Sequence, residues 1–308
     1  MINKIVAIQG NNPSKLNPLT DTSIFLANEI QKKNYKIFYY EPKDISIINS
    51  KVIAKGFFIK FNYNKRKIYK ILRKQKLDLL KCKFILIRQD PPFNLEYIST
   101  TYILDTIKDK VKIINNPTSI RNISEKFYSA KYQKFMPNTI FSQNLNEIKN
   151  FFKANKKVIL KPVHSFGGND IHLFSKFNFK LVQKLLKKYG FMMCQKFLPK
   201  ISNGDKRVFI INGKIAGAIS RIPKKGSYLS NMSKGGKAIT TNLTISEKKI
   251  SKKIASDLRK ENIFFAGIDF IDQKLNGDIN VTSPTGLKTL YDLSKINLAK
   301  TFWKELKA

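Results

Sequence analysis

Apolar and polar positions along the chain switch repeatedly between a period of two and a period of about 3.6. Lys4–Gln9 is a short β-branched run closed by Gly10 and reads as a first strand. After a polar loop, Ile24, Ala27 and Ile30 recur at helical spacing behind Asp21, which is placed to cap the helix. Lys36–Tyr40 reads as a second strand, and the order strand, helix, strand predicts a parallel sheet. Ser46–Lys60 reads as short strands with a turn, and Tyr63–Leu80 as a strongly basic helix. Phe84–Arg88 is a buried strand, and Lys112–Ile114 is a short strand ending in the turn Asn115-Asn116-Pro117. A domain boundary is expected near residue 120.

Beyond it, Ser124–Tyr132 reads as helical. Val158–Lys161 is a strand that runs into Pro162 and the glycine-bearing loop His164–Asp170, and Phe191–Phe197 is another strand. Arg207–Ile211 and Ile215–Arg221 flank Asn212-Gly213, a strong hairpin signal. Pro223–Gly236 is a long loop, of the kind that is either a lid or disordered. Ser246–Lys260 is an amphipathic helix, followed by strands at Phe264–Ile271 and Asp278–Thr282. A two-residue turn at Asn276-Gly277 would leave Asp269 ~13 Å from Asn280 by strand rise. A wider loop, centred nearer Lys274 and Leu275, is therefore expected. The whole pattern is α/β.

Composition narrows this picture. The 308 residues suggest two or three domains, and 42% hydrophobic residues is ordinary for a globular chain. The net charge of +37 raises nucleic acid as a partner, but Lys supplies 51 of the 58 basic residues and Arg only 7. Nucleic-acid readers favour Arg, and here Lys is spread over the whole chain. Lys, Ile and Asn also share A/T-rich codons, so the charge reads as compositional and nucleic acid is disfavoured. Cys82 and Cys194 form no disulfide framework, so a reducing cytoplasm is expected. Two histidines exclude a His-rich metal site. No apolar run approaches ~20 residues, so no membrane helix is expected, and Met1–Gly10 reads as a strand and not as a signal peptide.

Four features carry chemistry. Lys161 at a strand end, followed by Gly167 and Gly168, offers a point charge and backbone donors to a polyphosphate, although no GxxxxGK[ST] loop is present. Asp278 and Asn280 share one strand face, ~7 Å apart, and could hold Mg²⁺. Asp269 lies within an apolar run, where a carboxylate needs a cation or a metal. Arg207 and Arg221 flank the hairpin and could converge on an anion.

Taken in order, six motifs resemble the bacterial type of glutathione synthetase, an ATP-grasp ligase family. They are Arg88-Gln89-Asp90-Pro91-Pro92-Phe93; Asn115-Asn116-Pro117 with Glu125-Lys126; Leu160-Lys161-Pro162 with Gly167-Gly168; Phe197-Leu198-Pro199 with Gly204-Asp205-Lys206-Arg207; Arg221-Ile222-Pro223; and Asn280-Val281-Thr282-Ser283-Pro284-Thr285. The resemblance runs over nearly the whole chain. It implies a Rossmann-like N-terminal substrate domain (residues 1–120) and an ATP-grasp domain (121–308) with lobes 121–200 and 201–308.

The resemblance also implies ligation of γ-glutamylcysteine to glycine through an acyl phosphate, with ATP as co-substrate and Mg²⁺, or Mn²⁺ in its place, as cofactor. It assigns Lys126 and Lys161 to the ATP phosphates, the loop containing His164, Ser165, Phe166, Gly167 and Gly168 to closure over them, and Gln195, Lys196, Phe197 and Leu198 to adenine. Asp205 is assigned to the ribose, Asp269, Asp278 and Asn280 to metal, Arg207 and Arg221 to catalysis, and Arg88 and Ser283 to the dipeptide. The partners implied are small molecules and copies of the same chain, as a homotetramer, with no membrane. The sequence departs from the family pattern at His164-Ser165, at Leu229 and Lys237 in the lid where Arg is usual, and at Asp278 where Glu is usual. The alternatives are another ATP-grasp carboxylate–amine ligase and a basic nucleic-acid-binding protein.

Overall fold

The computed structural model describes residues 4–62 and 69–308. Three sheets follow one another along the chain. The first contains β1 (Ile5–Gln9), β2 (Lys36–Tyr40), β3 (Ile45–Ile48), β4 (Lys51–Phe61), β5 (Tyr69–Asp78), β6 (Phe84–Ile87) and β7 (Lys112–Ile114), with α1 (Thr22–Gln31), α2 (Leu95–Asp105) and α3 (Pro117–Asn122) between them. The order is β3-β4-β2-β1-β6-β7, and β1 runs parallel to both β2 and β6. Asp21 caps α1, its side chain accepting from the Ile24 N–H.

The basic helix expected over Tyr63–Leu80 is not found. Residues 69–78 form β5, antiparallel to β4 with Ile53 opposite Asp78 and Phe61 opposite Tyr69; residues 63–68 lie outside the described residues. Lys, Leu and Arg favour helix weakly, and pairing with β4 overrides that preference. The lysines along this edge strand discourage further pairing.

The second sheet has the order β10-β9-β11-β8, all antiparallel: β8 (Thr139–Ser142), β9 (Val158–Pro162), β10 (His172–Phe174) and β11 (Met192–Lys196). Helices α4 (Leu145–Ala154) and α5 (Phe179–Tyr189) cover one face through Ile148, Phe152, Val182 and Leu185, packed on Val158, Leu160, Met192 and Cys194. Because side chains alternate along a strand, Ile159 and Lys161 point to the opposite face.

The third sheet, β14-β13-β12-β15-β16, contains β12 (Asp205–Ile211), β13 (Lys214–Ile222), β14 (Lys237–Thr240), β15 (Phe265–Ile271) and β16 (Lys274–Asn280). One face packs on α6 (Ile245–Lys260), which starts in a Thr244–Glu247 capping box. The other face packs on α7 (Leu287–Ser294) and α8 (Leu298–Glu305). Those two helices continue the core of the first domain, where Trp303 Nε1 donates to Leu26 O at 2.9 Å.

The wider loop expected before Asp278 is not found either. The turn is tight and lies at Asp272-Gln273, both at positive φ (48° and 63°), so Ile271 faces Lys274 and Phe270 faces Leu275. The register then slips and resumes with Ile268 opposite Ile279 and Gly267 opposite Asn280. The slip is a bulge around Gly277, whose φ is +87° and where a Cβ would lie 2.1 Å from Met193 Cε. The bulge, and not a longer loop, sets Asp278 and Asn280 alongside residues 267–269 of β15.

Candidate active site

The second and third sheets face each other across a cleft of about 940 Å³, counting its open mouth. Strand pairing sets Arg207 on β12 directly opposite Asp269 on β15, and Asp205 opposite Arg221 on β13. Arg207 clasps Asp269 with two bonds, Nε to Oδ1 at 2.8 Å and Nη2 to Oδ2 at 2.7 Å. Arg221 Nη2 also reaches Asp269 Oδ2 at 2.8 Å, while its Nε donates to Asp205 Oδ1 at 2.7 Å and its Nη2 to the other Asp205 oxygen. All four groups are buried. Burial pushes the Asp269 carboxyl up, but the charges of Arg207 and Arg221 outweigh it and hold the group well below the usual carboxylate range. At Asp205 burial prevails over Arg221, with help from Asp269, and the carboxyl is raised. Burial lowers Arg221, but Asp205 and Asp269 overcome it and raise the guanidinium.

Lys126 and Lys161 stand on either side of Asp278, each 3.6 Å from one of its oxygens. Lys161 Nζ also donates to Asn276 O at 2.9 Å and Oδ1 at 2.8 Å, and Lys126 Nζ to Ser165 O at 2.6 Å. Burial lowers the Lys161 ammonium, and Asp278 works against that shift. Among the described residues, five basic and four acidic side chains line the cleft, a surplus of only one positive charge. Side chains alone therefore cannot balance a polyphosphate. Asn280 Oδ1 is buried without a hydrogen-bond partner among the described residues, beside Asp269 and Asp278. An orphaned amide oxygen with two carboxylates suits a hard divalent cation.

Ser165, Phe166, Gly167 and Gly168, the run Gln195, Lys196, Phe197 and Leu198, and Asp205, Arg207, Arg221, Asp269, Asp278 and Asn280 all line this cleft with Lys126 and Lys161. His164 lines a smaller neighbouring cavity, its ring edge-on to Phe127. Burial, and the charge of Lys126, lower the His164 pKa.

Arg88 and Ser283 meet outside the cleft, where the first domain joins the end of β16. Arg88 Nε donates to Ser23 Oγ at 3.1 Å and Nη2 to Pro284 O at 3.0 Å, and Nη1 is buried without a partner among the described residues. Ser283 Oγ lies 3.3 Å from Asp90 Oδ1.

The sequence reading gave no role to several residues of the site. Ile159 could have been found from its place two residues before Lys161 on one strand. Asn276 and Tyr228 carry no local signal. Asn115, read as part of a turn, is buried, and its amide bonds to β15 and to Val281. Tyr228 OH donates to Ile171 O at 3.1 Å and Lys234 Nζ to Asn169 Oδ1 at 2.7 Å, so the segment Pro223–Gly236 is tied to the glycine loop across the cleft.

Two antiparallel lobes closing on a cleft of paired lysines, arginines and carboxylates, behind a domain with a mixed sheet, define the ATP-grasp class. The solved structure of the ATP-grasp ligase PsnB, in complex with a phosphomimetic variant of a minimal precursor, Mg and ADP, has a TM-score of 0.64 at 10% identity and covers 99% of both chains. The chain belongs to the prokaryotic glutathione synthetase family: that family's N-terminal domain matches residues 5–121, and its ATP-grasp domain residues 125–295. It is 33% identical over 303 residues to the glutathione synthetase of Mesorhizobium japonicum, covering 97% of this chain and 96% of the relative. It is 35% identical over 290 residues to that of Prochlorococcus marinus subsp. pastoris, covering 91% of each. Among the described residues no helix is long and apolar enough to cross a membrane.

Proposed function

We propose that the chain is an ATP-dependent ligase that joins γ-glutamylcysteine to glycine through an acyl phosphate, giving glutathione, ADP and phosphate. The observation that carries this reading is the cleft in which Lys126, Lys161, Arg207 and Arg221 surround Asp269, Asp278 and Asn280 in a chain of this family. Phosphoryl transfer needs alignment and charge neutralisation more than a nucleophilic side chain. Lys126 and Lys161 hold the ATP phosphates, and Gln195–Leu198 presents backbone groups to the base, with Asp205 near the ribose. Arg207 and Arg221, fixed by Asp269 and Asp205, neutralise the transferring phosphoryl group and the acyl phosphate. Arg88, with its free Nη1, and Ser283 meet polar groups of the dipeptide.

ATP and a divalent metal serve the reaction. We assign the metal as Mg²⁺, with Mn²⁺ as the substitute, held by Asp269, Asp278 and Asn280; its chemistry is neutralisation of phosphate charge. Residues 1–120 act as the substrate domain and 121–308 as the nucleotide domain, with lobes meeting near 200. The family resemblance supports a homotetramer. The two buried free thiols, Cys82 and Cys194, support a cytoplasmic setting.

The reading is tested by ADP release with γ-glutamylcysteine, glycine and Mg²⁺, each omitted in turn; ADP formation independent of the dipeptide would refute it. Lys161→Ala is expected to raise the KM for ATP by roughly 100-fold, the loss of about 3 kcal/mol from a charged contact, in steady-state kinetics. Tyr228→Phe removes one lid bond, about 1 kcal/mol, and is expected to raise phosphate release per glutathione formed, because acyl phosphates hydrolyse when water enters. Leu229, which lines the cleft where the family lid carries Arg, favours a second reading, a different peptide substrate. Faster turnover on another dipeptide than on γ-glutamylcysteine would establish it.

A further inference from the structure

A separate cavity of about 230 Å³ lies where the first domain meets the third sheet, and it shares no lining residue with the main cleft or with the smaller cavity beside that cleft. It has room for roughly 15 water-sized groups, at ~15 Å³ each. The first domain contributes Lys108, just after α2, Lys112 at the start of β7 and Asn116 just beyond its end. The other side of the junction contributes Asn212 in the β12–β13 turn, Arg259 in the last turn of α6, and Phe264 at the entry to β15. No acidic side chain is among the described lining residues. Two carboxylates border these segments, and both are engaged elsewhere. Asp105 pairs with Arg121 and accepts from Thr118 Oγ1 at 2.8 Å, while Glu305 accepts from Asn212 Nδ2 at 2.7 Å and Lys214 Nζ at 3.2 Å. Lys108 Nζ donates to Thr118 Oγ1 at 2.7 Å and lies 3.4 Å from Asp105. Lys112 and Arg259 have no carboxylate partner among the described residues. Arg259 is one of only 7 arginines in the chain. Its stem lies against the Asn212-Gly213 turn, where a Cβ on Gly213 would come within 2.7 Å of Arg259 Cδ.

We propose that this cavity binds a small organic anion carrying two or more phosphate or carboxylate groups, and that such a ligand clamps the first domain to the third sheet. The inference does not depend on the ligase reading. Three cations around one cavity repel one another, and a bound anion relieves that repulsion. The guanidinium takes two oxygens of one anionic group side by side, and the lysines act as point charges on another. One anionic group satisfies one side of the junction only, because the lysines belong to the first domain and Arg259 to α6. Two groups on one skeleton engage both. Ile113, Ile263 and Phe264 supply apolar surface for the carbon skeleton between them. The ligand would span the same two elements that Asn115 already ties: the Phe264 N–H donates to Asn115 Oδ1 at 3.0 Å, and Phe264 and Asn116 both line the cavity. It adds an ionic fastening outside a buried amide one.

The test is calorimetric titration of the full chain, at fixed ionic strength, with fructose 1,6-bisphosphate, glutarate and acetate. One saturable site per chain is expected for the bisphosphate or the dicarboxylate, and the tighter of the two tells whether phosphate or carboxylate is the natural group. Lys112→Ala and Arg259→Ala, both at exposed positions, are each expected to weaken that binding roughly 10- to 100-fold, and acetate to bind at least ~10-fold more weakly, as loss of a hydrogen bond to a charged group implies. Lys161→Ala, in the main cleft, is expected to leave it unchanged. Absence of saturable binding by both dianions overturns the proposal. So does acetate binding as tightly, or binding that Lys161→Ala abolishes and the other two variants spare. The bound dianion is also expected to slow amide hydrogen exchange in residues 112–116 and 262–265 together; slowing confined to one of these segments overturns the clamp.

Discussion

Asp269→Asn should reduce ligase turnover by roughly 10³-fold or more and lower the stability of the fold by about 3–5 kcal/mol. The carboxylate is the shared anchor of two buried guanidinium groups, Arg207 and Arg221, and lines the cleft together with Asn280 of the neighbouring strand. An amide of the same shape could accept one bond but not balance two charges, and it would present an N–H toward a donor. Arg207 would be left as an uncompensated buried cation, Arg221 would keep only Asp205, and both would lose their aim at the phosphoryl group. Urea unfolding, ATP affinity and turnover should all move together. A variant with wild-type turnover and unchanged stability would remove Asp269 from the centre of the site. Arg207→Lys is the milder companion: it keeps the charge but gives up the two-pronged contact.

Asn115→Leu is expected to destabilise the protein by about 3–5 kcal/mol, seen as a lower urea midpoint at unchanged slope. Asn115 Nδ2 donates to Phe265 O and Val281 O, both at 2.7 Å, and Oδ1 accepts from the N–H groups of Phe264 at 3.0 Å and Phe265 at 2.8 Å. Leucine fills the volume but strands backbone groups of β15 and the end of β16 in a dry interior. Those strands carry Asp269 and Asn280, so turnover should fall as well. A change under about 1 kcal/mol would mean that water or a backbone shift replaces the amide.

Much of the architecture was legible because the informative residues act locally. The β-branched and aromatic runs of β1 and β2 announce strands, and Asn212-Gly213 announces a hairpin. Asp21 announces a helix start. The strand β5 was not legible: lysine, leucine and arginine suit a helix, and what makes them a strand is the facing row of β4. At the site, residue types pointed to Lys161, Arg207, Asp269 and Asn280, but not to their register. That register depends on a single glycine, Gly277, folding into a bulge against Met193. Asn115 was misread because its four partners lie 149 to 166 residues away, beyond any local pattern. Glu125 stood in a quoted motif, yet its place between two cavities is visible only once three segments are brought together.

The docking of α8 onto α1 has a consequence for how the protein is made. Trp303 and Phe302 complete the same apolar cluster as Val6, Ile8 and Ile24, and the Trp303–Leu26 bond spans 277 residues. On the ribosome, at about 5–20 residues per second, the first domain emerges early but waits for tens of seconds before its last core residues arrive. During that interval its α1 face is exposed apolar surface on an otherwise folded sheet. The nascent chain therefore carries an apolar face on α1 that the finished protein covers with α8.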